Sequence, residues 1–180
     1  MSNSKKSGPR PVKLTKRQMV EQNDIALIKY GAIIKSPLIY QQISHADYGV
    51  DELTGEIYSI KRGSWVPLSI QYPKKNRNGG LYPTFVVSSP LFTSAFKAKV
   101  MLVHVAAHET LNPRLPIPDG ITKIVWLNTD PSVKALCRGL WQVNHIDHDR
   151  LNFHPSNLEW VSASTNIQKY GDHLKLKNIA

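Results

Sequence analysis

The sequence holds a single cysteine, Cys137, which excludes an intrachain disulfide and a cysteine-rich zinc centre. No apolar run approaches the roughly 20 residues that a membrane-spanning helix needs. No apolar stretch follows the opening Met1 to Lys6, which excludes a secretory signal of ordinary form. Acidic residues are scarce: 13 Asp and Glu stand against 23 Lys and Arg, for a formal net charge of +10. That balance favours a polyanionic partner, and nucleic acid is the commonest one. Apolar residues make up 41% of the 180, enough to build the core of one domain or two small ones. The expectation is a soluble, cytoplasmic protein of a reducing compartment.

The chain divides into three stretches. In the first, residues 1–44, Lys5, Lys6, Arg10, Lys13, Lys16 and Arg17 precede any acidic residue, and Gly8, Pro9 and Pro11 interrupt them. This reads as a mobile basic arm, serving either phosphate contact along DNA or solubility. A helix follows, with Thr15 as N-cap, Gln18 at the capping-box position and Gly31 at the C-terminal cap.

The second stretch, 45–130, is β-rich. Residues 57–60 and 84–87 read as strands of one small antiparallel sheet. Lys74, Lys75 and Arg77 lie between them, on a loop that is either a phosphate contact or a solvated hairpin tip. The spacing of Phe96, Val100, Val103, Ala107 and Leu111 predicts a helix over 95–111. His104 and His108 share one face of it without the Glu of a metalloprotease motif, and read as packed or solvent-facing histidines. Residues 121–127 read as a strand and 131–137 as a short helix.

The third stretch, 131–180, carries the chemistry. Residues 142–146 and 158–161 read as short strands around a polar, turn-rich loop, and Ser162 caps a helix that starts at Ala163. His145 shares a strand face with Val143, so its neighbour Asn144 points to the other side unless the backbone bends. If the helix packs across the hairpin, Asn166 approaches Asn144. Their two amide oxygens would be hard ligands suited to Mg²⁺, which keeps several waters and shares its shell with substrate phosphates.

The run Val143-Asn144-His145-Ile146-Asp147, then Asn152, then Asn157-Leu158-Glu159-Trp160-Val161, then Asn166-Ile167 resembles the HNH endonuclease family, in particular the homing-endonuclease type of phages and mobile elements. Residues from Tyr48 to Lys61, Gly80 to Tyr82 and Val103 to Ala107 look like the modular region that often precedes this unit. The resemblance implies an α+β protein ending in a ββα-metal nuclease unit. It implies His145 as general base, Asn144 and Asn166 as ligands of Mg²⁺, with Mn²⁺ able to substitute, and Asn157 as an amide that bridges the loop and holds His145. The substrate would be double-stranded DNA, cut by a monomer or dimer in a bacterial host. Lys13, Lys16, Arg17, Lys74, Lys75 and Arg77 are the candidate phosphate contacts.

Three departures from the family pattern matter. Asn144 stands where many relatives have Asp. His148 stands where they have Gly, which implies a turn of different shape. Thr165 stands where a Glu would complete a capping box. His148 and His154 are extra imidazoles near the site. A DNA-binding regulatory protein without strong catalysis is the alternative reading, favoured by the neutral amide at 144.

Overall fold

The computed structural model describes residues 15–72, 82–88 and 98–177. Its first helix, α1 (Lys16–Tyr30), starts as its sequence dictates. The Thr15 hydroxyl accepts from the Gln18 backbone N–H at 3.3 Å, and the Gln18 side chain accepts from the Thr15 N–H at 2.9 Å. It stops at Gly31, whose φ of +67° is the left-handed cap that only glycine adopts at low cost. Ala26 is fully buried among Ala32, Ile34, Tyr58, Ile60 and Trp65, so α1 docks on the strands that follow.

Those strands are short. β1 (Ile34–Lys35), β4 (Tyr48–Asp51), β5 (Ile57–Ser59) and β6 (Val66–Pro67) form an antiparallel sheet in the order β1-β4-β5-β6, and β2 (Leu38–Tyr40) pairs with β3 (Ile43–His45). β7 (Thr84–Ser88) pairs with β8 (Ala98–Leu102). The strands expected at 57–60 and 84–87 are therefore present but belong to separate sheets.

The helix expected over 95–111 is confined to α2 (Val103–Leu111). Residues 98–102 are drawn into cross-strand pairing, from Ala98 opposite Ser88 to Leu102 opposite Thr84, and that pairing overrides the helical spacing of Val100. The strand expected at 121–127 is instead the helix α3 (Lys123–Asn128). Thr122 caps it by accepting from the Val125 N–H, and the cap outweighs the β-branched composition. The short helix α4 (Pro131–Leu136), with Asp130 as N-cap, lies where the sequence places it.

A 3₁₀ turn at Cys137–Leu140 leads into β9 (Trp141–His145), which pairs antiparallel with β10 (Leu158–Ser162). α5 (Ala163–Lys177) follows, and the Ser162 Oγ accepts from the Thr165 N–H at 3.1 Å. This is the strand–loop–strand–helix unit read from the sequence.

Three features fix the unit against the rest of the chain. One core takes Leu38, Val50 and Ile57 from the early strands, Phe85 and Val87 from β7, Val103 and Ala107 from α2, and Val143 and Leu158 from the β9–β10 hairpin. Each of these side chains larger than alanine, when fully buried, contributes on the order of 1.5–3 kcal/mol. Gly55, between β4 and β5, has φ +77°, and a Cβ there would lie 2.7 Å from the Phe153 carbonyl, so only glycine lets the β9–β10 loop approach so closely. Glu109 of α2 is fully buried and ion-paired with Arg138, whose Nη1 also donates to the Trp141 carbonyl at 2.7 Å. That pair ties α2 to the start of β9.

Candidate active site

The register of the hairpin sets Asn144 directly opposite Glu159 and His145 opposite Leu158. Alternation sends the two polar neighbours to opposite faces, as the strand period requires. His145 is buried against α2, its ring centroid 4.7 Å from that of His104 and 5.7 Å from that of Tyr82. Asn144 engages the α5 side through Glu159, which Lys169 of α5 also holds. Both residues nonetheless line one cleft of about 260 Å³. Asn166, Ile167 and Tyr170 of α5 line it as well, with His148 and Arg150 from the loop and Tyr82 ahead of β7.

His145 has the character of a base. Burial pushes its pKa below the ordinary imidazole value against the pull of Asp147 and Asp149, and Arg150 adds to the lowering. The ring is therefore neutral at pH 7. Its Nε2 is buried and has no hydrogen-bond partner among the described residues. Behind it, His104 is pushed down to about 3, mainly by burial and then by His145 and His108.

The two amides are held by their nitrogens. Asn144 Nδ2 donates to Glu159 Oε1 at 2.9 Å, and Asn166 Nδ2 donates to Gln142 Oε1 at 2.6 Å. Each amide oxygen is left over by these bonds. Burial raises the Glu159 pKa, but the bonds from Lys169 and Asn144 and the Lys169 charge outweigh it and hold the carboxyl below its usual range. Two hard amide oxygens on residues that line one cleft with a neutral imidazole fit a divalent cation that takes its other ligands from water and phosphate. Among the described residues no group of three or more His, Cys, Asp or Glu could hold a metal.

The loop between the strands is built on Asn157. Its Oδ1 accepts from the Asp147 N–H at 3.1 Å, and its Nδ2 donates to Asp147 Oδ1 at 2.9 Å and to the Asn152 carbonyl at 2.8 Å. Its backbone carbonyl accepts from the Ile146 N–H, next to His145. Burial raises the Asp147 pKa, yet hydrogen bonds from Asn152, Asn157 and the Asp149 backbone leave it lowered overall. His148 adopts φ +60°, so the turn keeps the left-handed geometry a glycine would favour, and the altered shape expected there does not occur. Its ring stacks on His173 of α5 at 4.1 Å. His154 serves the loop itself, as N-cap of the Pro155–Asn157 turn, with its Nδ1 2.8 Å from Ser156 Oγ.

The structure thus brings Asn144, His145 and Asn166 to one cleft, while Asn157 bridges the adjoining loop. His104 and His108 are packed side chains, both buried. Of the candidate phosphate contacts, Arg17 is exposed on the first turn of α1, while Lys13, Lys74, Lys75, Arg77 and the Lys16 side chain lie outside the described residues. Arg150 was missed. Its guanidinium lies 5.3 Å from the Tyr82 ring and 5.8 Å from the Tyr170 ring, on the wall of the cleft. A cation five residues after the candidate base was the available signal. Tyr82 had none, because its contact with His145 is tertiary.

A hairpin and a helix thus bring an imidazole and two amides to one cleft. Residues 102–168 match the family model described as HNH endonuclease. The match supports a nuclease, and it starts at Leu102, so it takes in α2 as well as the hairpin and the first part of α5. Among solved structures, the HNH homing endonuclease I-HmuI, reported for DNA binding and cleavage, is similar at 21% identity with a TM-score of 0.41. The likeness covers 74% of this chain and 60% of that one, so this chain spans less than two thirds of that enzyme's length. No curated protein matches the chain. Among the described residues no helix is long and apolar enough to cross a membrane.

Proposed function

We propose that the chain is a metal-dependent endonuclease of the HNH homing or nicking type, hydrolysing phosphodiester bonds in double-stranded DNA. The observation that carries this is the shared cleft lined by Asn144, His145 and Asn166. In this reading a neutral His145 takes the proton from a water attacking the scissile phosphorus. Asn157 holds the strand end in place through Asp147 and Ile146, so that the base does not wander. Arg150, set over two tyrosine rings, faces the charge of the substrate phosphate. Asn144 and Asn166 would hold Mg²⁺, for which Mn²⁺ substitutes, and the cation supplies positive charge near the leaving 3′-oxygen when bound.

The functional division follows the sequence: a basic arm and helix over 1–44, a β-rich DNA-binding region over 45–130, and the nuclease unit over 131–180. Lys13, Lys16, Arg17, Lys74, Lys75 and Arg77 contact phosphates and give the binding its salt dependence. One site per chain cuts one strand, so a monomer nicks and a double-strand break needs a dimer or two visits. The test is supercoiled plasmid with Mg²⁺ and with chelator. Conversion to open circle only with the metal supports the enzyme. Retention of DNA with no cutting under any divalent metal supports the binding protein instead.

A further inference from the structure

The Asn144–Glu159 contact says more than that an amide is hydrogen-bonded. The two residues are directly opposed across the β9–β10 ladder, and the distance from Asn144 Nδ2 to Glu159 Oε1 is 2.9 Å. A carboxylate is an acceptor only. The amide can therefore face Glu159 only with its nitrogen, and its oxygen is turned away from that contact. Lys169 pins the same Glu159 oxygen from α5, one turn after Asn166. The three residues thus link the strand that carries one candidate ligand to the helix that carries the other.

We infer that Glu159, clamped by Lys169, is the positioning residue that presents the Asn144 oxygen to the cleft, and that residues 144 and 159 form a matched amide–carboxylate pair. The inference rests on the metal-site reading above. It changes the meaning of the neutral residue at 144. An aspartate there would set two carboxylates face to face across the ladder, where like charges destabilise. Asn144 is then the residue that Glu159 requires, and Asn144→Asp is not a simple improvement of the site.

Two measurements on the full chain test this. The first is thermal melting in chelator of wild type, Asn144→Asp, Glu159→Gln and the double variant. Asn144→Asp is expected to lose about 3 °C or more in Tm, and Asn144→Asp/Glu159→Gln to return to within about 1 °C of Glu159→Gln alone. Equal melting of wild type and Asn144→Asp overturns the pairing. The second is Mn²⁺ binding by electron paramagnetic resonance, using duplex DNA bound to a His145→Ala background so that nothing is cut. Glu159→Ala frees the amide and is expected to weaken Mn²⁺ about 10-fold or more, while Glu159→Gln keeps an acceptor and stays within about threefold of its parent. Equal losses in both variants would show that Glu159 acts as a charge and would overturn the positioning role. If the His145→Ala parent itself retains no Mn²⁺, the metal-site reading fails, and the melting cycle still decides the pairing.

Discussion

The His104 ring lies 4.7 Å from the His145 ring, so a residue of α2 forms the inner wall of the candidate base's pocket. Tyr82 closes the group, its ring 4.6 Å from His104. His108, one turn along α2, packs edge-on against Trp160 at 5.0 Å. These imidazoles stay neutral because the core will not admit their charge.

That neutrality makes the fold acid-sensitive. His104 is held at about 3 and His108 at about 4, burial being the main cause for both, while Glu159 partly opposes it for His108. Both lie below the value of an unfolded histidine, so the unfolded chain takes up protons first. Stability is full above about pH 6.5 and falls, by about 1.4 kcal/mol per pH unit for each group, as the pH drops toward those values. Urea unfolding at pH 5 should show stability on the order of 4 kcal/mol below that at pH 7.5. His104→Leu should roughly halve the difference. Stability that is flat between pH 7.5 and 5 contradicts the packing.

The Glu109–Arg138 pair ties α2 to the start of the hairpin through a buried charge. The carboxylate is fully buried, and it also accepts from the Gln42 N–H at 3.2 Å. Arg138→Ala strands that charge, so it should cost about 3–5 kcal/mol. Glu109→Gln, which removes the charge as well, should cost less in an Arg138→Ala background than in wild type. Denaturant titration of the four proteins checks this, and simple additivity is the contrary result.

Asn157 should matter to both stability and rate. Asn157→Ala deletes three side-chain hydrogen bonds in a site that is 9% exposed, and leaves the Asp147 N–H without its partner. We expect a stability loss of about 2 kcal/mol. Asn157→Asp puts a second carboxylate beside Asp147 and should be worse, whereas a purely steric role would make it the milder change. Melting temperatures and nicking rates of the two variants separate these outcomes.

Much of the site is legible because its logic is local. Thr15, Gln18 and Gly31 bound α1, Ser162 starts α5, and the spacing from Asn144 to Asn166 describes one hairpin and one helix turn. What escaped is tertiary. β8 looks helical until β7 is available to pair with it, and α3 has strand-like residues that only the Thr122 cap reveals. Glu159 reads as an ordinary strand residue until the register sets it against Asn144. Tyr82 and His104 come from distant segments and reach His145 only through the shared core. His148 shows that a residue unsuited to positive φ is accepted when the surrounding turn is fixed by Asn157 and the ring finds His173.

The proposed cleavage depends most directly on His145. Nicking of supercoiled plasmid should be measured at pH 7.5 with Mg²⁺ for wild type and for His145→Ala, alongside DNA affinity in chelator. We predict a fall in nicking rate of at least about 100-fold for the variant, as loss of a general base entails, with affinity within about twofold of wild type. Undiminished nicking by His145→Ala, or no nicking by the wild-type chain with any divalent metal, would contradict it.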